Sequence, residues 1–343
     1  MPPDVPPQPT LTDGVVTIRP WREADIALAV AGHDDEVMLW FGQPAPPSYN
    51  GMREVLARWG DEYADNRSRV NFVIDYQGSA VGNVEVRRTD KHTAQLSWWL
   101  YAGRRGNGYA TRAVRLLLDY ALRELGVQRL EAEVDPRNDR SLRVATRGGL
   151  RREGIRRIVP GMTDRPDADA VVVLARLATD QPMTEPEGFR ALLNSFLPRK
   201  RAISQLLVRS TDGGVLLCQL TYKQDWDLPG GVVEVDESPQ LAGVREVQEE
   251  LGLVLEPGRL LLTDWLPPWG GWDDAVCLVF DGGTHPSSIV ESFVRQEREI
   301  RATAFCTPEE VAERCADFTA RRVAAALANF DGGGSAYVES GRA

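Results

Sequence analysis

The sequence predicts an α+β protein of two domains, and three observations support this prediction. Its 343 residues are about twice the length of a typical single domain. Residues 178–187, ATDQPMTEPE, are polar and contain prolines, which is the composition of a linker, and they divide the chain near its middle. On both sides of this stretch, segments with the two-residue period of strands occur together with segments that have the apolar spacing of amphipathic helices.

Composition and charge exclude several classes of protein. The net charge of −10 argues against bulk nucleic acid as a partner, but it is compatible with a nucleotide held through a metal ion. The four cysteines have neither a CxxC pattern nor a metal-binding spacing, so we expect buried, reduced thiols. No run of residues approaches the length of a membrane span, and the start, MPPDVPPQPT, has neither the basic nor the apolar region of a signal peptide. We therefore expect a cytoplasmic protein with no membrane partner.

The first domain is expected over residues 15–178, after a disordered, proline-rich lead at 1–14. Alternation and β-branched residues predict a strand from Val15, a hairpin over 70–87 and a strand over 94–101. Helical spacing of apolar residues predicts helices over 23–40, 51–65 and 111–125.

A glycine-rich loop, GRRGNGYA at residues 103–110, joins the strand at 94–101 to the helix at 111–125. Gly106 and Gly108 allow the backbone to approach a ligand closely. Loop amides together with a helix N-terminus form a site for an anion such as a phosphate. Taken alone, such a loop is also compatible with a tight strand-to-helix turn that binds nothing.

The elements that follow this loop give it a context. They are a strand that ends at Asp135, a helix start with Asn138 and Ser141, a glycine pair and a short basic strand. This succession resembles the GNAT family of acyl-CoA-dependent N-acyltransferases, and most closely the subgroup with the ribosomal-protein N-terminal acetyltransferases. The resemblance covers residues 15–177 and implies a mixed, mostly antiparallel sheet with helices. It also implies acetyl-CoA as co-substrate and an amine, on a small molecule or a protein N-terminus, as acceptor.

The resemblance implies particular residues in the binding of acetyl-CoA. The loop matches a pyrophosphate-binding motif, and the preceding strand matches the one whose backbone pairs with the pantetheine arm. Ser141 would also protonate the departing thiolate. The implied cofactor-binding residues are Trp99, Leu100, Arg105, Gly106, Asn107, Gly108, Tyr109, Ala110, Asn138 and Ser141.

The general base of this domain is not evident from the sequence. An attacking ammonium must lose a proton near neutral pH, which calls for a carboxylate, a histidine or a water chain within reach. The strand at 94–100 contains no carboxylate. Glu85 and Glu133, on neighbouring strands, are the candidates, and the alternative for each is a place on a solvated strand face.

The two domains are joined by residues 179–199, which contain the linker and a short amphipathic helix over 188–197. Five apolar residues of this helix fall on one face, and we expect that face to pack on one of the two domains. They are Phe189, Leu192, Leu193, Phe196 and Leu197.

The second domain, over residues 200–330, contains the most distinctive segment of the chain, GVVEVDESPQLAGVREVQEELGL at 231–253. Helical spacing from Pro239 places Glu246, Glu249 and Glu250 on one face, one turn apart. Like charges at this spacing repel unless a cation lies between them, and oxygen ligands of this kind suit Mg²⁺ or Mn²⁺. A solvated acidic helix face is the alternative for any Glu-rich helix.

The full spacing of this segment resembles the Nudix box, with no departure at a fixed position. The resemblance implies an α/β/α sandwich that hydrolyses the pyrophosphate of a nucleoside diphosphate linked to another group. Glu237 and Arg245 would hold the loop against the helix. A further carboxylate from outside the box would act as metal ligand or base, and Glu297 and Glu299 match its place best. The implied metal ligands are the Gly231 carbonyl, Glu246, Glu249 and Glu250, and the implied catalytic residues are Glu246, Glu249, Glu250 and Glu299.

Two further segments of this half carry expectations. Residues 265–272 contain three tryptophans among Pro and Gly, whose rings are expected either to stack on a base or sugar or to pack in the core. The glycine-rich tail at 331–343 is expected to be disordered.

These features lead to three hypotheses about function. In the first, both domains are enzymes and the protein is bifunctional. In the second, the Nudix domain is catalytic and the GNAT-like domain binds acyl-CoA without catalysis. In the third, both domains act in turn on one amino-bearing, nucleotide-type metabolite or antibiotic. We place the first ahead of the third and the third ahead of the second. The oligomeric state stays open, with a homodimer as one option.

Overall fold

A computed structural model of the protein describes residues 7–159, 168–221, 224–256, 258–332 and 336–342. The chain divides into two compact units, Met1–Leu197 and Pro198–Ala343. Each unit contains a mixed sheet covered by helices, so the predicted two-domain α+β class is confirmed. All four cysteines are buried free thiols, as their spacing predicts. No helix in the described part of the chain is long and apolar enough to span a membrane.

The sheet of the first unit has the strand order β1-β2-β3-β4-β5-β6-β8-β7, and its recorded pairs are antiparallel apart from β5 with β6. Its strands are β1 (Leu11–Thr12), β2 (Thr17–Arg19), β3 (Arg69–Tyr76), β4 (Ser79–Arg88), β5 (Thr93–Leu100), β6 (Arg129–Val134), β7 (Arg151–Arg157) and β8 (Ala170–Leu177). Its helices are α1 (Ile26–Gly32), α2 (Asp35–Phe41), α3 (Tyr49–Asn66), α4 (Tyr109–Arg123), α5 (Asp139–Gly148) and α6 (Pro186–Phe196).

The parallel strands β5 and β6 pair over only a short distance. Their register runs from Thr93 opposite Arg129 to Gln95 opposite Glu131. Beyond these residues no pairing is recorded between them, although both strands continue. The end of β5 therefore has backbone groups that are not used by β6, which is where an extended ligand can pair with a strand.

Two expectations for the beginning of the chain are corrected. The predicted lead at 1–14 contains strand β1, in which Leu11 pairs with Ile18, and residues 1–6 lie outside the described part. The single helix predicted over 23–40 is divided, because the Asp34 side chain accepts a hydrogen bond from the Val37 amide and starts a new helix.

The helix that precedes the second unit, α6, packs on the first unit. It begins at Pro186, earlier than predicted, and buries Leu192. The Ser195 hydroxyl accepts a hydrogen bond from the Arg152 amide at 3.1 Å, which ties the helix to β7. Phe189 is exposed, so not all of the predicted apolar face is buried.

The second unit is a sandwich of one sheet between two helical layers. Strands occur in the order β11-β10-β9-β14-β13-β16, with β12 beside β9 and β15 beside β10. The strands are β9 (Arg201–Ser210), β10 (Val215–Leu220), β11 (Trp226–Asp227), β12 (Gly230–Val232), β13 (Leu260–Leu266), β14 (Ala275–His285), β15 (Ile300–Cys306) and β16 (Tyr337–Glu339), and the helices are α7 (Pro239–Leu251), α8 (Pro308–Arg314) and α9 (Asp317–Phe330).

Alternating residues of β9 separate the two cores of this unit. Leu206 packs in a cluster with Val247 of α7, whereas Leu207 packs in another cluster with Val311 of α8 and Val323 of α9. Because successive side chains of a strand point to opposite faces, α7 lies on one face of the sheet and α8 and α9 lie on the other.

The predicted disordered tail at 331–343 is also corrected. Strand β16 pairs in parallel with β13, from Thr263 opposite Tyr337 to Trp265 opposite Glu339, and it buries Val338. Composition misleads here because the glycines precede and follow a short strand that covers the edge of β13.

Candidate active sites

A cavity of about 540 Å³ in the first unit collects most of the residues predicted to bind a cofactor. It lies between the end of β5, the glycine loop and the start of α5. Among the predicted residues, those that line it are Trp99, Leu100, Arg105, Gly106, Gly108, Ala110, Asn138 and Ser141. The structure thus brings together the loop, the end of β5 that does not pair with β6, and the α5 N-terminus.

Two predicted residues of the loop do not line this cavity with their side chains. The Asn107 amide donates to the Arg105 carbonyl at 3.0 Å. The Tyr109 ring stacks on Tyr76, with the ring centroids 4.6 Å apart. These residues contribute their backbone to the loop, and their side chains have structural partners.

The glycine loop has the geometry of an anion site. Gly106 and Gly108 have φ values of +82° and +78°, which is a conformation that favours glycine. Gly108 is the N-cap of α4 and has no side chain to accept from the amides of the first turn. These amides and the positive end of the helix dipole can therefore serve an anionic ligand.

Arg105 has a different role from the one its place in the loop suggests. Its guanidinium donates to Asp34 at 2.7 and 2.8 Å and to Glu36 at 2.7 Å, which connects the loop to α2. The hydrogen bond from Arg105 lowers the pKa of Asp34. Sequence reasoning missed both carboxylates, and the only signal was the capping pattern at Asp34.

A second cavity of about 400 Å³ shares part of the wall of the first and contains one of the two candidate bases. Glu133 lines it and forms an ion pair with Arg156 at 2.5 Å. Glu85 lines neither this cavity nor the first, and it is paired with Arg69 at 3.3 Å. Burial raises the pKa of Glu85. This second cavity is also lined by Ser97, Asp135 and Ser141 and by the rings of Trp40, Phe41 and Trp98.

In the second unit, the two glycines before the acidic helix approach it closely. The Gly230 amide donates to the Glu250 carboxylate at 3.2 Å. A Cβ on Gly231 would lie 2.5 Å from the carboxylate carbon of Glu246, so no other residue fits there without displacing that group. The loop backbone and the carboxylates of α7 are thus in direct contact.

Arg245 connects the loop and the helix, as the sequence indicates. It donates to Glu237 at 2.7 Å, to Glu249 at 3.0 Å and to the Val232 carbonyl at 3.3 Å. Glu246 lies 3.0 Å from the same guanidinium. The Arg245 charge partly neutralises the acidic face when no cation is bound.

Neighbouring carboxylates, among them Glu299, act on the titration of Glu246 and Glu250. Burial, followed by the charges of Glu246, Glu299 and Asp227, raises the pKa of Glu250 to about 8, although the Gly230 amide acts in the opposite direction. Burial likewise raises the pKa of Glu246, with contributions from Glu249 and Glu299. Glu299 is therefore near the box, whereas Asp227 is a further neighbour that sequence reasoning missed.

These residues fit a hard divalent cation. All the donors are oxygens. Burial, together with neighbouring carboxylates, raises the pKa values of Glu246 and Glu250, and a cation would compensate the charge of both groups. Within the described ranges, no three His, Cys, Asp or Glu side chains already converge as a metal cage. Arg245 lies 3.0 Å from both Glu246 and Glu249, and a bound cation would replace part of these contacts.

We expect the metal-free second unit to lose stability as the pH rises. Glu250 has an ordinary pKa of 4.5 in the unfolded chain and about 8 in the folded one, so unfolding releases a proton between these values. The free energy of unfolding should fall by up to about 5 kcal/mol from pH 4.5 to 8. Glu250→Gln should remove most of this pH dependence, which is measured by urea unfolding at several pH values in the presence of EDTA. If the free energy of unfolding fell as steeply with pH in Glu250→Gln as in the wild type, the proton would not be bound by Glu250.

The tryptophans of residues 265–272 are only partly in the core. Trp269 and Trp272 are 63% and 57% exposed, and their backbones bond to each other at 2.9 and 3.1 Å. The Trp269 ring packs edge-on against Phe318 at 5.6 Å. These two rings are therefore not part of the core, and the Arg201 guanidinium lies over the Trp272 ring, 4.8 Å from its centroid.

Comparisons with known proteins assign both units. Residues 16–151 match the family model of the GNAT acetyltransferase domain, and residues 198–327 match that of the NUDIX domain. A MutT-like protein of Streptomyces ambofaciens is 37% identical over 133 residues, which are 39% of this chain and 78% of that protein. The probable N-acetyltransferase YjcK of Bacillus subtilis is 42% identical over 73 residues, which are 21% of this chain and 40% of that protein.

Solved structures are also similar to this chain. Mycobacterium smegmatis RimJ in complex with CoA-disulfide is 22% identical, covers 52% of this chain and 88% of its own, and superposes with a TM-score of 0.44. The chain spans less than half the length of YjcK and more than three quarters of the MutT-like protein. The chain contains a GNAT acetyltransferase domain followed by a Nudix hydrolase domain.

Proposed function

We propose that the protein is bifunctional. The Nudix domain would hydrolyse, with Mg²⁺ or Mn²⁺, the pyrophosphate of a nucleoside diphosphate linked to another group. The GNAT domain would transfer an acetyl group from acetyl-CoA to an amine. The observation that best supports the hydrolase is the contact of Gly230 and Gly231 with Glu250 and Glu246. Acetyl-CoA and nucleotides as substrates suit the expected cytoplasmic location.

The hydrolase residues would have separate roles in a displacement at phosphorus. Glu246, Glu249, Glu250 and the Gly231 carbonyl would hold the cation, which when bound supplies charge neutralisation for the phosphates and acidifies a water. Glu299 would take the proton of the attacking water as its oxygen forms a bond to phosphorus. The bond to the bridging oxygen then breaks and the electron pair leaves with the second phosphate. The exposed rings of the 265–272 segment would stack on the base or sugar.

In the transferase, some residues would bind the cofactor and others would transfer protons. Amides of the glycine loop would bind the cofactor pyrophosphate, and the edge of β5 that is not paired with β6 would pair with the pantetheine arm. Glu133 would take a proton from the acceptor ammonium. The free amine then attacks the thioester carbonyl and the C–S bond breaks. Ser141 would give its proton to the departing thiolate, and the proton that the new amide nitrogen loses would return to Ser141. The carboxylates and aromatic rings of the second cavity favour a cationic acceptor.

We expect Glu133→Gln to lower kcat for acetyl transfer by about 10² at neutral pH, because proton removal by a positioned base contributes on that order. Its affinity for CoA should stay within about twofold, since Glu133 does not line the first cavity. Glu85→Gln is the comparison, because Glu85 lines neither cavity. A larger loss of kcat in Glu85→Gln than in Glu133→Gln would reverse the assignment of the base.

The function can be tested by mass spectrometry on a library of nucleotides and nucleotide sugars incubated with Mg²⁺. Wild type and Glu250→Gln are compared with and without acetyl-CoA. Consumption of one class of compound by the wild type alone would identify the hydrolase substrate. A gain of one acetyl group on the same compound would favour action of both domains on one metabolite. Acetyl transfer to any amine would exclude a GNAT domain that only binds acyl-CoA.

A further inference from the structure

The segment Ala336 to Arg342, here called the strap, lies beyond residue 327, where the match to the NUDIX family ends. It pairs with β13 through strand β16. After the strand, the Ser340 amide donates to the Trp265 carbonyl at 3.0 Å, and Arg321 of α9 donates to the Ser340 carbonyl at 3.0 Å. The strap is therefore held by both a strand and a helix.

Gly341 shows that the docking of the strap is specific. Its φ is +72°, and a Cβ there would lie 2.5 Å from the Arg321 Cβ and 2.8 Å from the Arg322 amide nitrogen. Only glycine permits this approach of two backbones. The Gly341 amide donates to the Asp264 carboxylate at 3.1 Å, so the strap reaches a buried charged group.

Asp264 forms a buried ion pair with Arg322. Their side chains are 0% and 2% exposed, and the Arg322 Nε donates to an Asp264 oxygen at 2.8 Å. Two charges removed from water stabilise the fold only if their remaining hydrogen-bonding groups also find partners. The Gly341 amide supplies one such partner for Asp264.

Arg322 is also connected, through further hydrogen bonds, to the loop before the Nudix box. Its Nη1 donates to the Gln205 side-chain oxygen at 3.1 Å. The Gln205 amide nitrogen in turn donates to Asp227 at 2.9 Å and to the Leu228 carbonyl at 3.3 Å. Because a guanidinium only donates and a carboxylate only accepts, the orientation of Gln205 is fixed by its two partners.

The loop that accepts these hydrogen bonds, residues 227–231, also contacts the proposed metal ligands and is here called the metal-binding loop. Asp227 and Leu228 are followed, after Pro229, by Gly230, whose amide donates to Glu250, and by Gly231, which faces Glu246. A continuous series of hydrogen bonds thus runs from the strap through Asp264, Arg322 and Gln205 to the metal-binding loop.

We propose that the strap, with Asp264 and Arg322, positions the metal-binding loop of the Nudix domain, so that the hydrolase site is complete only when the strap is docked. Asp264, Arg322 and Gln205 are positioning residues in this account, since none of them is among the proposed ligands. Outer groups that orient metal ligands commonly contribute tenfold to a hundredfold to metal affinity. The inference depends on the proposed hydrolase function.

The test is Mn²⁺ binding to the full chain, measured from the electron paramagnetic resonance signal of free Mn²⁺, together with hydrolysis kinetics. Gly341→Ala is expected to weaken Mn²⁺ binding about tenfold, and Asp264→Asn at least as much. The rate constant kcat should fall while KM changes little. Gly332→Ala is the matched control, because Gly332 also has a positive φ of +88° but no heavy atom within 4 Å of the added Cβ.

Measurements are made well below the melting temperature, on variants whose circular dichroism matches the wild type. If Asp264→Asn fails to fold, Gly341→Ala alone decides. Wild-type Mn²⁺ affinity and kcat in folded Gly341→Ala would overturn the inference, even with a lower Tm, because the strap would then only stabilise the domain. Failure of the wild type to bind Mn²⁺ would instead overturn the proposed hydrolase function.

Discussion

Replacing Glu250 by Gln is expected to lower kcat of the Nudix domain about a thousandfold, which corresponds to a loss of about 4 kcal/mol of transition-state stabilisation. The amide keeps the shape of the carboxylate and an oxygen that can accept from Gly230, so the loop should keep its place. What is lost is the negative charge at a buried position beside Glu246 and Glu299. A cation held at this site would then be bound less tightly and positioned less well.

The measurement is the rate of hydrolysis at saturating Mg²⁺ with the substrate found in the library screen. Glu234→Gln is the matched control, because Glu234 belongs to the same box but its side chain is exposed, and kcat should change less than twofold. Acetyl transfer by the same preparation serves as a second control for folding. A Glu250→Gln rate within about tenfold of the wild type would contradict the role of Glu250 as a metal ligand.

The sequence predicted those parts of the sites that depend on local spacing. In the Nudix box, one loop and two turns of one helix separate Gly231 from Glu246, so the pattern of residues already implies the contact. The pair of Glu237 with Arg245 follows from the same spacing. The glycine loop and the start of α4 are adjacent in sequence, and both line the first cavity.

The contacts that sequence reasoning missed join distant segments. Arg105 and Asp34 are 71 positions apart, and Arg322 and Asp264 are 58 positions apart. No local period or motif encodes such pairs, because they depend on how the strands are ordered in the sheet. The same limit applies to the strap, whose glycine-rich surroundings resemble disorder although strand β16 is short and well paired.

The assignment of side chains within the glycine loop shows a related limit. The motif indicates that residues 105–110 approach a ligand, but it does not distinguish backbone from side chain. Tyr109 points to Tyr76, and Arg105 binds Asp34 and Glu36, so the loop offers mainly its amides to the first cavity. The most direct test of the anion site therefore changes charge near these amides without changing the glycines.

Thr111→Asp is expected to weaken the binding of acetyl-CoA about a hundredfold. Thr111 lies in the first turn of α4 and lines the first cavity. An acid in the first turn of a helix is favourable for the helix itself, so the fold should be kept. At about 5 Å from a phosphate charge, a carboxylate contributes roughly 3 kcal/mol of repulsion at an effective dielectric constant of about 20. The new carboxylate would also compete for the amides that hold the pyrophosphate.

Thr111→Asn is the matched control, because it has nearly the same shape as Asp without the charge, and its affinity for CoA should stay within about threefold of the wild type. Isothermal titration with CoA measures both variants, and the loss in Thr111→Asp should become smaller at high ionic strength because salt screens the repulsion. Equal affinities for Thr111→Asp and Thr111→Asn would mean that the pyrophosphate does not bind at this helix end. The cofactor would then have to enter the cavity in another orientation, and the proposed pairing of its pantetheine arm with β5 would also fail.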